Sequence, residues 1–466
     1  EFALTGEAGA GGLIKRVVTA YGDDSVQQLT GLHLVVENAS IVLTKLLEWG
    51  RIAAYLEQST RYIYFDQKGQ DGRYRYRLPD FPAEVKKRYV KDMDRLFELY
   101  SEVVRGLTTH VRQKFPEPTD AKERQAWIGA TRAQACDAAR PMLPAATTAT
   151  VGIYMSAQAV ESLIIHLLSE ELPEARTTGQ AILTEARKVI PAFLERADLP
   201  TRGGAMTAFR AATRQKLAEL AVSKLRSPEE GTYPEVQLLE YWPQNETDLV
   251  LEIFFQSSSL SLDEIKEQVK KWSVKEKEDA LRLYTGERFN RRHKPGRAFE
   301  KAHFEWEITA DYGTFRDLQR HRMLDSFEWQ AIGPSYGYEV PEIVKEAGFE
   351  EQFREAFAIS EKLYSYLQEK GETTQAQYGV LLGYRMRYRF IANVRELFHF
   401  LELRTSPQGH PGYRRICNQM YDRLKEVYPV IAGTMRFVNQ DEDPELTRMA
   451  AELATQYKLE KLDREG

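Results

Sequence analysis

The segment from Glu57 to Tyr62 contains a hydroxyl and a guanidinium two residues apart, at Ser59 and Arg61. On an extended backbone, side chains two residues apart project on the same side. Arginine offers a planar fork of donors and serine a short rotatable donor, so together they could hold a phosphomonoester through charge-assisted hydrogen bonds. The alternative is a surface arginine beside a loop serine. The spacing therefore indicates a phosphate site and leaves the alternative open.

Three adjacent residues, Arg320, His321 and Arg322, follow a predicted helix. Because consecutive side chains point in different directions, the three cannot share one face, and we expect at least one of them to point inward. Such a group could contact a pyrophosphate or the carbonyls of a ring. The alternative is a solvated basic turn.

A polar stripe interrupts the predicted apolar helix between Asn393 and Arg404. Arg395, His399 and Glu402 lie at positions i, i+4 and i+7, which places them on one side of the helix. A buried stripe would need polar partners, which a ligand could supply. On an exposed face, the arginine and the glutamate would pair with each other instead.

The elements that position these residues are predicted to be mainly helical. Apolar residues recur at spacings of three and four over residues 96–107 and 394–401. Short runs of apolar, β-branched or aromatic residues predict strands at 32–36, 151–155, 249–255 and 304–308. The combination predicts an α+β fold.

Composition and charge exclude several classes of protein. The net charge of -5, from 64 basic and 69 acidic residues, does not favour a nucleic-acid partner. No apolar run reaches the roughly 18 residues of a membrane span, so no membrane partner is expected. Cys136 and Cys417 are isolated, which argues against a disulfide framework or a zinc site. We therefore expect no metal and a cytoplasmic location.

The chain is long enough for two domains, and it contains a faint internal repeat. At 466 residues it exceeds what one hydrophobic core usually organises. Glycine- and proline-containing breaks between residues 200 and 234 divide it. The predicted divisions are a first repeat at 1–205, a linker at 206–233, a second repeat at 234–445 and a helical tail at 446–466.

The repeat is visible in two pairs of segments. Residues 32–62 are similar to residues 304–333: aligning Leu47 with Leu318 also brings Arg51 onto Arg322 and Glu57 onto Glu328. Further along each half, residues 151–168 are similar to residues 388–404. Two copies of one fold explain both similarities.

The sequence resembles the flavin-dependent thymidylate synthases, whose hallmark motif reads R-H-R, seven residues, then S-x-R-Y. In the first half, residues 59–62 (S-T-R-Y) match the second part, while residues 49–51 (W-G-R) stand in place of R-H-R. In the second half, residues 320–322 (R-H-R) match the first part, and residues 330–333 (Q-A-I-G) replace S-x-R-Y. Each half has kept the part that the other has lost.

Three more segments carry the resemblance. Residues 140–144 (R-P-M-L-P) resemble the family's R-x-x-L-P, whose arginine binds the substrate phosphate. Residues 393–404 resemble its N-x-R-x-L-x-x-F-L-x-L-R helix. Residues 236–241 (V-Q-L-L-E-Y) resemble its opening strand, so the fold restarts in the second half.

The resemblance implies a fold and a reaction. The expected fold is two tandem thymidylate synthase-like copies, each mostly helical with a small sheet. The expected reaction is the reductive methylation of dUMP to dTMP, in which methylenetetrahydrofolate supplies the carbon and FAD, reduced by NADPH, supplies the hydride. The protein would position and polarise the reactants.

The resemblance also implies a division of labour between the halves. The first half would bind the substrate phosphate, through Glu57, Ser59, Arg61 and Arg140. The second half would bind FAD, through Arg320, His321, Arg322, Asn393, Arg395 and His399. Arg404 would be catalytic and would stabilise negative charge on the pyrimidine. Family members are homotetramers with sites shared between subunits, so a homodimer of this chain would form a pseudo-tetramer.

Two other hypotheses stay open. Trp49 and Gly50 replace the first two residues of R-H-R, which fits a catalytically degenerate protein that binds nucleotide or flavin without turnover. A third hypothesis keeps the flavin chemistry and changes the substrate to another pyrimidine.

Overall fold

The computed structural model describes residues 24–226, 233–441, 446 and 448–465. Within these residues the chain forms two small antiparallel sheets surrounded by helices. The α+β prediction with two similar copies is therefore confirmed. Residues 1–23 of the predicted first repeat, residues 227–232 of the predicted linker and residues 442–445 lie outside the described residues.

The first half contains three strands and six helices among its described residues. In chain order these are β1 (Gly31–Ser40), α1 (Ile41–Leu47), β2 (Ala53–Glu57), α2 (Ala83–Lys114), α3 (Ala121–Ala139), β3 (Thr148–Ser156), α4 (Ala157–Leu168), α5 (Pro173–Val189) and α6 (Gly203–Lys224). The strand order is β1-β3-β2, so the last strand in sequence lies at the centre.

The second half repeats this plan around a four-stranded sheet of order β4-β5-β7-β6. Its elements are β4 (Val236–Trp242), α7 (Val250–Phe255), α8 (Leu262–Val269), α9 (Val274–Thr285), β5 (His303–Asp311), α10 (Tyr312–Leu318), β6 (Ser326–Trp329), α11 (Glu342–Glu346), α12 (Glu350–Glu369), β7 (Arg385–Asn393), α13 (Val394–Arg404), α14 (Pro411–Val427), α15 (Pro429–Gly433) and α16 (Met449–Glu465). In both halves, a strand that runs directly into a short helix pairs with the last strand of that half: β1 pairs with β3, and β5 pairs with β7.

A short polar side chain at each strand end starts the helix that follows. The Ser40 hydroxyl accepts a hydrogen bond from the backbone amide of Leu43 at 3.0 Å, and Asp311 caps α10 in the same way. Ser156 caps α4, and Asn393 caps α13. Such caps satisfy amides that have no partner inside the helix. The helices that carry the candidate residues therefore begin at equivalent places in the two halves.

The two halves meet through equivalent segments. The Ala145 amide donates to the Val380 carbonyl at 2.8 Å, and the Leu382 amide donates to the Leu143 carbonyl at 2.9 Å. Pro144 pairs with Leu381. The two residues are equivalent positions of the repeat, because the difference in residue number between them equals the difference between β3 and β7. An approximate twofold axis therefore passes between Pro144 and Leu381.

Two details of the sequence-based assignment change. Residues 249–255, predicted as a strand, form a helix from Val250 to Phe255. Val250 and Ile253 are buried one turn apart while Phe255 is exposed, and so short an apolar run does not distinguish strand from helix. The predicted linker also carries helix α6, which is anchored to the end of α4 where Arg214 donates to the Ser169 carbonyl.

The predicted periodicity of the long helix α2 is confirmed. Leu96, Tyr100, Val103 and Leu107 are fully buried. They belong to a hydrophobic core that is continuous from one half to the other. Among the described helices, none is both long enough and apolar enough to cross a lipid bilayer.

Candidate functional site

The buried carboxylate of Asp317, on α10, pairs with Arg140 of the first half and lies within electrostatic reach of three further candidate arginines from both halves. Arg140 donates from Nη1 to Asp317 Oδ2 at 3.0 Å. Burial would raise the pKa of Asp317, but nearby guanidinium groups hold it well below its usual range. In decreasing order of effect, these belong to Arg140, Arg61, Arg320 and Arg404. Two come from each half, so the cluster is composite.

Arg140 has an unused donor at this point. It lies in a short 3-10 helix, Arg140–Met142, and only 3 % of the residue is exposed. Its Nη2 has no hydrogen-bond partner among the described residues. A Cβ on Gly313 would lie 3.0 Å from that nitrogen, so glycine at 313 allows the guanidinium to approach α10. An anion could accept from this free donor.

Arg61 differs from the sequence-based expectation. Residues 60–62 form a turn, so Ser59 and Arg61 do not project together from an extended strand. The Ser59 hydroxyl instead accepts from the Arg61 amide at 3.2 Å. The Arg61 guanidinium makes two hydrogen bonds of 2.7 Å to Asp137 and one of 3.3 Å to the Tyr413 hydroxyl. The expected projection of both side chains from an extended backbone is therefore wrong, and their joint binding of one anion stays a prediction.

Glu57 connects the two halves through a buried ion network. Its carboxylate contacts Arg316 Nη2 at 2.7 Å, Arg320 Nη2 at 3.0 Å and Lys45 Nζ at 3.2 Å. Burial would raise the pKa of Glu57, but these three cations hold it well below its usual range. Glu57 thereby fixes Arg320, the first residue of R-H-R, against the first half.

His321, the middle residue of R-H-R, is the member that points inward. Its Nδ1 lies 3.1 Å from Glu396 Oε1, and its Nε2 accepts from Arg404 Nε at 2.9 Å. The Phe400 ring packs against the imidazole, with 4.1 Å between ring centroids. Burial and the charge of Arg404 hold the pKa of His321 well below its usual range, so the ring is neutral. The prediction that at least one residue of the three points inward is confirmed.

Arg404, the predicted catalytic residue, lies beside Arg61 at the same tyrosine. Its guanidinium carbon is 5.3 Å from the centroid of the Tyr413 ring, and that of Arg61 is 5.7 Å away. With Nε bound to His321, the outer nitrogens of Arg404 can still donate to a ligand.

Among the described residues, His321, Glu396 and His399 form a cluster whose ligand atoms lie within 4.8 Å of one another. Such a cluster could hold a metal ion, but its chemistry favours another role. Both ring nitrogens of His321 already face partners, and Lys294 lowers the pKa of both histidines. A positive surrounding disfavours a cation, so we interpret Glu396 and His321 as members of a hydrogen-bonded series that ends at Arg404, with His399 beside it.

A cavity of about 370 Å³ lies beside His321. It lies between the R-H-R segment and its counterpart in the first half, with the lining Glu48, Trp49, Gly50, Arg51, Gln319, His321, Arg322, Leu324, Phe327 and Trp329. Arg322 donates to the Arg51 carbonyl at 3.2 Å and packs over the Tyr55 ring. Aromatic and cationic side chains thus surround a space within the usual range for small-molecule sites.

Asn393, Arg395 and Glu402, on α13 or at its start, contact residues outside the group formed by Arg61, Arg140, His321 and Arg404. Asn393 caps the helix by accepting from the Glu396 amide at 2.9 Å. Arg395 donates to the Pro295 carbonyl and to Glu300. Glu402 is buried and forms two hydrogen bonds of 2.6 Å with Arg288, so pairing within the stripe is wrong. Of the stripe, His399 alone faces His321, at 5.5 Å between centroids.

Four residues that contact the candidate arginines or His321 were not identified from the sequence: Asp137, Asp317, Glu396 and Tyr413. A signal was available for the two aspartates. Asp137 lies three residues before Arg140, and Asp317 lies three residues before Arg320. That spacing places an acid and a base on one helical face. The roles of Glu396 and Tyr413 depend on contacts between distant elements.

A comparison with known families shows a match over residues 4–192 and again over residues 237–430 to the thymidylate synthase complementing proteins. The chain belongs to this family. Two matched regions in one chain confirm the resemblance found in the sequence and agree with the two copies in the fold.

Two relatives align with most of this chain and with most of their own length. A UPF0159 protein of Chlamydia pneumoniae is 34% identical over 443 residues, which cover 94% of this chain and 82% of the relative. A UPF0159 protein of Thermoplasma acidophilum is 30% identical and covers 95% of this chain and 92% of its own length. One similar solved structure is the UMP/dUMP methylase PolB from Streptomyces cacaoi bound with 5-Br dUMP. It shows 17% identity and a TM-score of 0.36, and the match covers 47% of this chain and all of that one.

Proposed function

We propose that this family member catalyses the flavin-dependent methylation of dUMP to dTMP at a composite site between its two unequal halves. The observation that carries the proposal is that arginines of the two halves share one region. Arg61 of the first half and Arg404 of the second pack over the same Tyr413 ring. Arg140 of the first half pairs with Asp317 of the second, and Arg320 of the second half pairs with Glu57 of the first. Family membership supports the pyrimidine methylation. The assignment of site residues rests on the motifs together with this geometry.

The residues around Asp317 divide into two roles. Arg140 is suited to the substrate phosphate, because its buried Nη2 is free to donate. Arg404 is suited to the pyrimidine ring, because a fixed and partly desolvated guanidinium stabilises charge that develops there. Arg61 and Ser59 would reach the phosphate only after Arg61 exchanges Asp137 for the ligand.

The cavity beside R-H-R is lined by groups that could bind part of a flavin. Trp49, Phe327 and Trp329 supply apolar surface for a ring system, and Arg322 supplies a cation that could donate to flavin carbonyls or a pyrophosphate. His399, Arg320 and His321 adjoin this region. Asn393 and Arg395 would contribute indirectly, by holding the start of α13 in place. Bound FAD, reduced by NADPH, would supply the hydride, and methylenetetrahydrofolate would supply the carbon.

Turnover is the direct test of the proposal. Purified protein supplied with FAD, NADPH and methylenetetrahydrofolate should release tritium from C5 of labelled dUMP and form dTMP. Nucleotide or flavin binding without tritium release would identify the degenerate alternative, and a protein that does not bind FAD would refute the flavin enzyme altogether.

Two substitutions test the division of labour. Arg322→Ala should weaken FAD binding by about tenfold and leave the nucleotide affinity unchanged, because the residue lines the cavity between the halves. Arg61→Ala should weaken the nucleotide and leave FAD unchanged. Isothermal titration with each ligand measures both effects, and equal loss of both ligands in each variant would contradict the division.

A second candidate is methylation of a less charged pyrimidine, such as a nucleoside or base. The specific observation is that Asp137 and Asp317 already neutralise Arg61 and Arg140, the arginines assigned to the phosphate. Turnover of dUMP, UMP and deoxyuridine under the same conditions separates the candidates, since preference for deoxyuridine would favour the second.

Asp137→Asn tests the competition directly. Loss of the carboxylate should free Arg61 and raise the affinity for dUMP by about tenfold, with the affinity for deoxyuridine unchanged. Titration of both ligands is the measurement. Unchanged dUMP affinity would show that Arg61 does not meet the phosphate.

We also propose that two chains form a cytoplasmic homodimer, a pseudo-tetramer with one complete site per chain. In the first half, Trp49 and Gly50 stand where the second half has Arg320 and His321, and Trp49 stacks on His166 at 4.3 Å, so only the last arginine of R-H-R has a counterpart there. Light scattering should give twice the chain mass of 53.7 kDa.

A further inference from the structure

Three side chains in the second half form a hydrogen-bonded chain that ends at Arg404. Glu396 lies on α13 one turn after its cap, and His321 follows α10. The Glu396 carboxylate faces Nδ1 of His321 at 3.1 Å, and Nε2 of the same ring faces Nε of Arg404 at 2.9 Å. Glu396 and His321 are both buried.

The partners of His321 determine which ring nitrogen carries the proton. Arginine has donors only, so Nε2 must present its lone pair to Arg404. Because the ring is neutral, its proton then resides on Nδ1, where the Glu396 carboxylate accepts it. An ionised Glu396 is the partner that favours this tautomer.

We propose that Glu396 is a positioning residue that holds the Arg404 guanidinium through His321, and that protonation of Glu396 releases it. A protonated carboxyl can donate to Nδ1, which moves the ring proton to Nε2. The Nε2–H would then face the Arg404 Nε–H, and two donors cannot bond. The proposal rests on the proposed function only in the role that it gives to Arg404.

The surroundings of Glu396 place this change near neutral pH. Burial raises the pKa of Glu396 to about 7, and Lys294 and Arg395 limit the rise. Across the chain, His321 and His399 are neutral, since burial and neighbouring cations lower the pKa of each. The cations around these two histidines are Arg291, Lys294 and Arg404. The carboxylate form therefore prevails above about pH 7, and the protonated form prevails below it.

The pH profile of methylation is the first test. In the wild type, kcat/KM should fall by about tenfold as the pH decreases from 8 to 6, because Arg404 loses a charge-assisted bond network. In Glu396→Gln, the neutral amide mimics the protonated carboxyl and can likewise donate to Nδ1, so kcat/KM at pH 8 should fall to about the wild-type value at pH 6 and should no longer change with pH. In Glu396→Leu, kcat/KM should be about tenfold lower at both pH values.

The matched control is Glu246→Gln. Glu246 is another buried glutamate whose pKa is raised by burial, and it accepts from the amides of Val430 and Ile431 far from Arg404. This variant should keep the wild-type pH profile. A fall with decreasing pH that persists in Glu396→Gln, or wild-type activity of that variant at pH 8, would overturn the proposal.

A spectroscopic test does not depend on turnover. Nitrogen NMR of protein with labelled histidine distinguishes protonated from unprotonated ring nitrogens, and His321→Gln assigns the signal among the eight histidines. Above pH 7 we expect a protonated Nδ1 in the wild type and a mixture in Glu396→Leu. A protonated Nε2 in the wild type would overturn the proposal even if the protein methylates dUMP. The expected tautomer without turnover would instead refute the proposed function.

Discussion

Replacing Arg404 with lysine should lower kcat for pyrimidine methylation by about 10²- to 10³-fold, the usual effect of removing one donor that stabilises transition-state charge. Arginine can bond His321 through Nε and still present two outer nitrogens to a substrate. Lysine carries one ammonium, which cannot meet both partners in the same geometry. Steady-state kinetics with dUMP would measure kcat and KM separately, and circular dichroism would verify the fold.

Arg423→Lys is the matched control for this variant. Arg423 is exposed on α14 and pairs with Glu426, remote from the cluster. Its replacement should leave kcat unchanged. If Arg404→Lys retained more than about one tenth of the wild-type kcat, a role for Arg404 at the developing charge would be excluded.

Replacing Glu57 with alanine should destabilise the protein by about 3–5 kcal/mol. Glu57 is the shared partner of Lys45 and Arg316, whose side chains are 2% and 5% exposed. Without it, the Arg316 guanidinium loses its carboxylate partner while remaining out of contact with water, which is the costly case for a buried ion pair; Lys45 keeps its contact with Glu48 at 2.5 Å. Thermal unfolding followed by circular dichroism should show a clearly lower midpoint.

The repeat supplies the control, because Glu328 is aligned with Glu57 in the other half. Glu328 is 67% exposed and pairs with Arg389, which is itself half exposed. Such a surface pair contributes about 0–1 kcal/mol, so Glu328→Ala should scarcely change the midpoint. Similar shifts in the two variants would mean that the buried network does not hold the halves together.

The ion pairs of Glu57 also determine how the stability of the fold changes at acidic pH. Since the folded state lowers the pKa of Glu57, its ionisation stabilises the fold at every pH above the unfolded value of roughly 4.3. That contribution is lost progressively as the pH falls below this value. Glu57→Gln should therefore lose less stability than the wild type between pH 5 and pH 3, measured as the change in unfolding midpoint.

Much of the architecture could be predicted from local patterns. Polar caps at Ser40 and Asp311 follow apolar strands, so the two halves repeat the same strand-to-helix step. The alignment of Leu47 with Leu318 agrees with the ends of α1 and α10. Both features are local, since a cap and a periodic face depend on residues a few positions apart.

The candidate site was predictable only in part. R-H-R indicated an inward residue, but which residue it was depended on the partners that Glu396 and Arg404 supply from α13. Arg61 was expected beside Ser59 and pairs instead with Asp137, which is distant in sequence. Local spacing cannot show which carboxylate competes for a guanidinium, because that competition is decided by packing.

The sequence by itself determined the family, the α+β class, the duplication and the complementary loss of motifs between the halves. Each of these is encoded in residue order, which does not depend on how the halves pack. Only the tertiary structure decided that Arg140 pairs with Asp317, that Arg61 and Arg404 pack over one tyrosine, and that Glu57 pairs with Arg320 across the two halves. Charges separated by hundreds of residues interact strongly only when folding removes water from between them.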